Sequence, residues 1–229
     1  MKFDRLLNMI GEKKFLTIKE KRIVVFGLGG VGSFATEALA RSGVGTLYVV
    51  DYDLVEETNI NRQLIALEST IGKYKVDIFK ERAKDINREI KIIGYKVKAD
   101  KDTIKEILQI GFDYVVDCVD DLNAKAEIAM YCSNHNISLI SSMGFANKFK
   151  PEMIKIAKLN QTSVCPLAKA LRKKLKNAGY SLDFNVVYSE EKPATVINRE
   201  ILGSNAYCPS IAGLYMAAHI INEIVGENS

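Results

Sequence analysis

Cysteine is scarce and scattered in this chain. Its four residues, Cys118, Cys132, Cys165 and Cys208, form no C-x-x-C pair. That spacing writes neither a thiolate zinc clasp nor a two-cysteine redox motif, so no zinc is expected. Free thiols so placed point to a reducing compartment. The two histidines, His135 and His219, are far apart and read as packing or surface residues rather than ligands. No apolar signal-peptide core follows Met1-Lys-Phe-Asp-Arg5, and nothing reads as a secretory leader. The most apolar late run, residues 211–225, carries His219, Asn222 and Glu223; it is too short and too polar to span a bilayer. Linkers rich in Pro, Gly or Ser, internal repeats and low-complexity tracts are all missing. A net charge of +4 is too mild to announce a nucleic-acid partner, although it is compatible with RNA. The expectation is a cytoplasmic protein, with no membrane partner, built as one continuous domain over residues 1–229. Its 48% hydrophobic and 26% charged residues suffice for an ordinary core.

What is present is a nucleotide signature with an unusual sequel. The apolar run Ile23-Val-Val-Phe enters Gly27-Leu-Gly29-Gly30-Val-Gly32, and a helix is expected over residues 33–41. Gly27, Gly29 and Gly32 make G-x-G-x-x-G, which lets backbone amides approach phosphates at a helix N-terminus. Asp51 ends the next strand at the right distance to hold a ribose hydroxyl. So far the reading is only "nucleotide". The segment Asn59-Ile-Asn61-Arg62-Gln63 changes it. A dehydrogenase has no use for an Asn, an Arg and a Gln crowded after that acid. An enzyme that attacks ATP at its α-phosphate does, because charge grows on phosphate oxygens and calls for Arg and amide donors.

Periodicity organises the rest. Residues 1–20 read as a helical arm, with Phe3, Leu6, Leu7 and Ile10 at helical spacing and Gly11 as a stop. Strands are expected at 47–51, 91–98, 113–118 and 138–142, and helices at 73–87, 103–109 and 124–135. Residues 52–72 form an irregular polar loop, long enough to be a working surface. This alternation predicts an α/β fold, a Rossmann-like, mainly parallel sheet with helices on both faces. Past Gly144 the pattern changes. Strands at 152–159 and 184–188 flank a helix at 166–176, and a last helix covers 209–225. The C-terminal part is expected to add antiparallel strands, with residues 144–208 forming a cap over one end of the sheet.

Three acidic or glycine clusters fall at strand ends, where open α/β sheets bind ligands: the glycine turn, 51–63 and 117–121. Lys73 and Lys75 open the following helix. Together they supply what adenylate formation needs: amides, acids for ribose or metal, and cations for the leaving pyrophosphate. The pattern G-x-G-G-V-G-S, D-x-D, N-x-N-R-Q, G-x-x-K-V and D-C-x-D, over residues 23–121, resembles the ubiquitin-activating-enzyme-like (ThiF/MoeB/HesA) superfamily. The resemblance implies ATP as substrate. Asp51 would hold the ribose; Asn59, Arg62 and Lys75 would meet the phosphates with Gln63 nearby; Gly27, Gly29, Gly30 and Gly32 would cradle the nucleotide. It implies Mg²⁺ on Asp120, and a homodimer in which Arg5 of one chain reaches its partner's ATP.

The second half narrows the branch. Cys165-Pro-Leu-Ala-Lys-Ala-Leu-Arg, then Val186-Val-Tyr-Ser-Glu-Glu191, then Cys208-Pro-Ser-Ile-Ala-Gly213 are similar to the bacterial tRNA threonylcarbamoyladenosine dehydratase branch. That implies activation of a carboxylate on an anticodon-loop adenosine of a tRNA substrate, followed by cyclisation with loss of water. The rival is an adenylating activator of a ubiquitin-like sulfur carrier, whose relatives usually carry two C-x-x-C pairs. A sulfur-transfer protein stands as a further candidate partner. Cys165 departs from the Asp expected before that Pro, a better helix N-cap. Blander readings stand beside several of these. Asp53 reads as metal-side support or as a loop cap, Asp117 as catalytic or as a satisfied strand end, and Lys73 as a solvated helix start. The cations Lys169, Arg172, Lys173 and Lys176, opposite the Leu167/Leu171/Leu175 stripe, read as an RNA-binding face or as solvated surface. Tyr180 and Phe184 read as rings that stack bases or, by preference, as core.

Overall fold

The chain is described by a computed structural model covering residues 2–195, 197–198 and 202–227. Met1 of the arm, and residues 196 and 199–201 of the 144–208 segment, lie outside the described residues. Five strands, β1 (Arg22–Phe26), β2 (Thr46–Val50), β3 (Lys91–Tyr95), β4 (Tyr114–Asp117) and β5 (Ser138–Ser142), run parallel. Two more, β6 (Ile154–Lys158) and β7 (Asn185–Ser189), complete a seven-stranded sheet of order β3-β2-β1-β4-β5-β7-β6.

Alternation along β1 sorts the core into two layers. Ile23 and Val25 face α2 (Glu12–Glu20), α3 (Gly32–Arg41), α4 (Lys75–Ile86) and α8 (Cys208–Val225). Val24 and Phe26 face α5 (Lys101–Leu108), α6 (Leu122–His135) and α7 (Pro166–Asn177). Tyr180 and Phe184 pack against this second layer, as their core reading expects.

The C-terminal strands add the expected antiparallel pairing, in one pair. β7 is parallel to β5, and only β6 runs antiparallel, against β7. The reason lies in their faces. Val186, Val187 and Tyr188 of β7 are all buried, which suits an interior strand covered on both sides. β6 carries exposed Lys155 and Ile156 and sits at the edge, where a charged side chain deters further pairing. The 52–72 loop is also more regular than expected. It holds two short 3₁₀ turns, Glu57–Asn59 and Glu68–Thr70, each closed by a side-chain acceptor: Asn59 Oδ1 takes the Glu56 N–H and Thr70 Oγ1 takes the Leu67 N–H.

The arm is two helices, α1 (Asp4–Ile10) and α2, broken at Gly11, whose φ of +81° suits glycine. It lies at the amino ends of the strands. Phe15 covers Gly43, the Lys19 carbonyl abuts Gly45, and Lys19 pairs with Glu89 at 2.9 Å, all just before β2 or β3. Arg5 is therefore exposed at the end of the sheet opposite the glycine turn. Among the described residues no helix is long and apolar enough to cross a membrane.

Candidate active site

The strand order reverses beside β1: β2 and β3 lie on one side, β4 and β5 on the other. Open α/β sheets bind ligands at such a switch point. A cleft of about 870 Å³ opens there, at the carboxyl ends of β1, β2 and β4. The glycine turn forms its floor. Gly27 has φ +89°, and a Cβ there would sit 2.9 Å from the Cys118 carbonyl oxygen; one on Gly32 would come within 1.8 Å of the Gly27 oxygen. Any larger residue breaks the turn. Gly29 and Gly30 line the cleft directly.

Asp51 pins that turn. Its Oδ2 accepts the Leu28 N–H at 2.6 Å and its Oδ1 the Asp53 N–H at 2.8 Å. Burial pushes its carboxyl pKa up, opposed by the charge of Lys75 and by the two N–H donors. Carboxylate oxygens retain further acceptor capacity for a ligand hydroxyl. Lys75, the first residue of α4, is buried and pairs with Asp53 at 2.7 Å. Its partner is brought back by the loop itself, where Leu54 bridges Tyr74 and the Val55 N–H reaches the Lys73 carbonyl at 2.8 Å. Lys73 is exposed and does not line the cleft.

Within the loop, Asn59 is buried and Arg62 donates to the Thr58 carbonyl at 2.7 Å and to Asn61 Oδ1 at 2.9 Å. Gln63 is 7% exposed, and its Oε1 is the one buried side-chain polar atom without a hydrogen-bond partner among the described residues. Leaving such an atom unpaired costs about 1–3 kcal/mol. Gln63 lines the cleft, with its amide nitrogen Nε2 on the Gly29 side. The bare glycine cradle and this orphan acceptor both fit a nucleotide.

At the end of β4, Asp117 resolves to a structural group. Its Oδ2 accepts from Lys125 Nζ at 2.8 Å and Ser141 Oγ at 2.5 Å, and its Oδ1 from the Val119 N–H at 3.1 Å. Asp117 and Lys125 are both buried. Asp121 caps α6 by accepting the Ala124 N–H at 2.8 Å. Between them, Asp120 stands exposed on the rim. The Tyr52 hydroxyl reports the local field: its pKa is raised chiefly by the charge of Asp53, then by burial and by Asp120, Asp51 and Asp121. Asp51, Asp53, Asp120 and Asp121 thus all line the cleft and act on the field at Tyr52, without gathering into one cage. Among the described residues no three metal-ligating side chains cluster, so a divalent ion there would need phosphate oxygens beside Asp120, the usual arrangement for Mg²⁺.

The opposite wall comes from residues 142–148, the start of α7 and residues 202–204. Lys148 and Lys125 were not singled out by sequence reasoning. A mid-helix lysine reads as solvated, and Lys148 lies in a short aperiodic stretch between Asn147 and Phe149. Two expected groups stay outside the cleft. Arg5 is at the far end of the sheet. The basic residues lie along α7, where Lys169, Lys173 and Lys176 are exposed while the Arg172 guanidinium donates to the Thr162 carbonyl at 3.0 Å and to the Thr162 hydroxyl. All four cysteines are free, and burial pushes the Cys118 thiol pKa up and that of Cys132 up to about 12. His219 bonds Asn185 at 2.9 Å, far from the cleft.

A family model described as the ThiF family matches residues 3–229. The tRNA threonylcarbamoyladenosine dehydratase of Bacillus subtilis is 40% identical over 241 residues, covering 98% of this chain and 95% of that protein. Crystal structures of the Escherichia coli dehydratase TcdA superpose with a TM-score of 0.93 in complex with AMP and 0.91 with ATP, at 30% identity, covering 99% of this chain and 94% of theirs. The molybdopterin-synthase adenylyltransferase of Salmonella typhimurium is 33% identical, but over 54% of this chain and 49% of its own length.

Proposed function

The chain belongs to the ThiF family, and from that premise we propose that it is an ATP-dependent tRNA threonylcarbamoyladenosine dehydratase. The carrying observation is that the glycine turn, Asp51, the 59–63 segment, Lys75 and Asp120 occupy one cleft in a chain similar to these dehydratases over nearly its whole length. The likeness to a carrier-activating adenylyltransferase stops at about half the chain, which leaves the rival reading, and a sulfur-transfer partner, with weaker support.

The glycine turn receives the phosphates on backbone amides, and Asp51 takes the ribose. Asn59 and Gln63 offer amide groups. Arg62 and Lys75 oppose charge as the acceptor carboxylate attacks the α-phosphorus and pyrophosphate leaves, an electrostatic role that favours the transition state over the ground state. The activated carboxylate then cyclises and AMP is released, with net loss of water. Asp53 holds Lys75 in place. Asp120, with phosphate oxygens, would hold Mg²⁺, which would supply charge neutralisation at the triphosphate; the carboxylates that line the cleft beside Asp120 support a cation there.

The working unit is a homodimer. Its support is geometric: Arg5 cannot serve its own cleft from the opposite end of the sheet, whereas a two-fold pair exchanges arms reciprocally. Lys169, Lys173 and Lys176 form the tRNA-facing surface, without Arg172, which the fold already uses. Free cysteines fit a reducing cytoplasm. The whole of residues 1–229 acts as one domain, the residues after Gly144 supplying the second cleft wall.

The test is pyrophosphate exchange. With ATP and tRNA carrying threonylcarbamoyladenosine, the enzyme exchanges label; Asp120→Ala lowers the rate about 100- to 1,000-fold with the fold intact. Exchange supported by a sulfur-carrier protein and not by the tRNA refutes the assignment.

A further inference from the structure

Lysine is among the residues least often buried without a charged partner. Lys148 is 2% exposed and lines the cleft wall opposite the nucleotide elements. Its ammonium has three donors. Among the described residues it uses one acceptor, the Glu191 backbone oxygen, and forms no ion pair. The carboxylate of Glu191 is engaged elsewhere: it accepts the backbone N–H groups of Phe149 and Lys150, each at 2.9 Å. Burial pushes the Lys148 pKa down, opposed by Cys165, Glu191 and Cys208.

The backbone around Lys148 is fixed with unusual thoroughness. Its carbonyl accepts from Asn205 Nδ2 at 2.6 Å, and Asn205 Oδ1 in turn accepts the Cys208 N–H at the start of α8, at 2.9 Å. Neighbouring Asn147 bonds Gly203 in both directions, each at 2.8 Å. Residue 191 and the 203–208 stretch thus hold one lysine that lines the cleft, and among the described residues two of its three donors have no partner. That arrangement suits an anion that arrives from outside.

We infer that Lys148 is the residue that receives the acceptor's carboxylate, its ammonium neutralising that anion as it approaches the α-phosphate. The inference rests on the dehydratase reading above and adds a binding role that reading does not contain. The problem it answers is electrostatic. Adenylation brings a carboxylate against a triphosphate, and both are anions. A fixed cation on the acceptor side offsets the repulsion and sets the oxygen in line. In the step, a carboxylate oxygen forms a bond to the α-phosphorus while the bond from that phosphorus to the bridging oxygen breaks. The electron pair leaves with pyrophosphate, and Lys148 keeps its proton throughout.

The readout is the ratio of affinities for tRNA with and without the threonylcarbamoyl group. Wild type prefers the modified tRNA. Lys148→Met removes the charge and keeps the length, so the ratio falls roughly 10- to 100-fold, toward one, the loss expected for a charged hydrogen bond. Mg²⁺-ATP binding and affinity for unmodified tRNA stay at wild-type level. Lys148→Arg, which keeps the charge, restores part of the preference. A purely structural strut lowers thermal stability and leaves the ratio alone. If Lys148→Met loses ATP binding, the ratio is read on Lys148→Gln and Lys148→Arg. A ratio unchanged in any variant that still binds ATP overturns the inference. A wild-type enzyme that shows no preference while still exchanging pyrophosphate with modified tRNA overturns it too, and leaves the dehydratase reading standing. A wild type that does neither overturns both.

Discussion

Replacing Lys125 with methionine tests what holds the carboxyl end of β4. Lys125 and Asp117 are 0% and 1% exposed at their side chains, and the pair is 2.8 Å apart. Removing one member of a buried pair strands the other charge and costs about 3–5 kcal/mol. For a chain of this size each kcal/mol lowers Tm by about 2–4 °C, so Lys125→Met should melt roughly 6–20 °C below wild type. The double variant Asp117→Leu/Lys125→Met removes both charges. It still leaves the Val119 N–H and the Ser141 hydroxyl without their acceptor, a loss of about 1–3 kcal/mol each, partly offset by a gain of about 1–4 kcal/mol when apolar groups replace a buried ion pair. It should therefore be more stable than the single variant and less stable than wild type. Urea unfolding followed by circular dichroism measures all three. A single variant within 1 kcal/mol of wild type, on the scale of an exposed pair, refutes the reasoning. So does a double variant no more stable than the single one.

Gly32→Ala places a Cβ 1.8 Å from the Gly27 oxygen, so calorimetry should find ATP binding abolished or the protein unfolded; wild-type binding would mean that the turn yields. Reversing Lys169, Lys173 and Lys176 to Glu should weaken tRNA binding and flatten its log–log salt slope by about two or more, whereas Arg172→Ala should act mainly on stability because its guanidinium is bonded to Thr162; an unchanged slope returns α7 to plain solvated surface. Arg5→Ala and Asp120→Ala should each be nearly inactive, and mixed after verified subunit exchange they should recover about a quarter of wild-type activity, since half the dimers are mixed and each has one intact site. No recovery would leave Arg5 with a structural role only and refute the exchange of arms.

The sheet and the nucleotide side of the cleft were legible because their signals are local. A strand ending in a glycine turn, an acid at the next strand end and a helix opened by Lys75 each occupy a few consecutive residues. Parallel topology then brings those ends together. What escaped depends on pairing between distant segments. The direction of β7 follows from its burial on both faces, which one strand's sequence does not reveal. Lys125 reads as a surface lysine until β5 sets Ser141 beside Asp117. The Lys148 wall needs Glu191 and Asn205, which stand 43 and 57 residues away. Asp117 had two readings in the sequence, and only its three hydrogen bonds chose the structural one.

The central claim is that this cleft adenylates the carboxylate of threonylcarbamoyladenosine and that the product closes with loss of water. Its most direct measurement is mass spectrometry of nucleosides from modified tRNA incubated with the enzyme, Mg²⁺ and ATP. The account predicts a nucleoside lighter by one water, with AMP and pyrophosphate formed in equal amounts, and no change without ATP. An unaltered nucleoside despite intact ATP binding would contradict it.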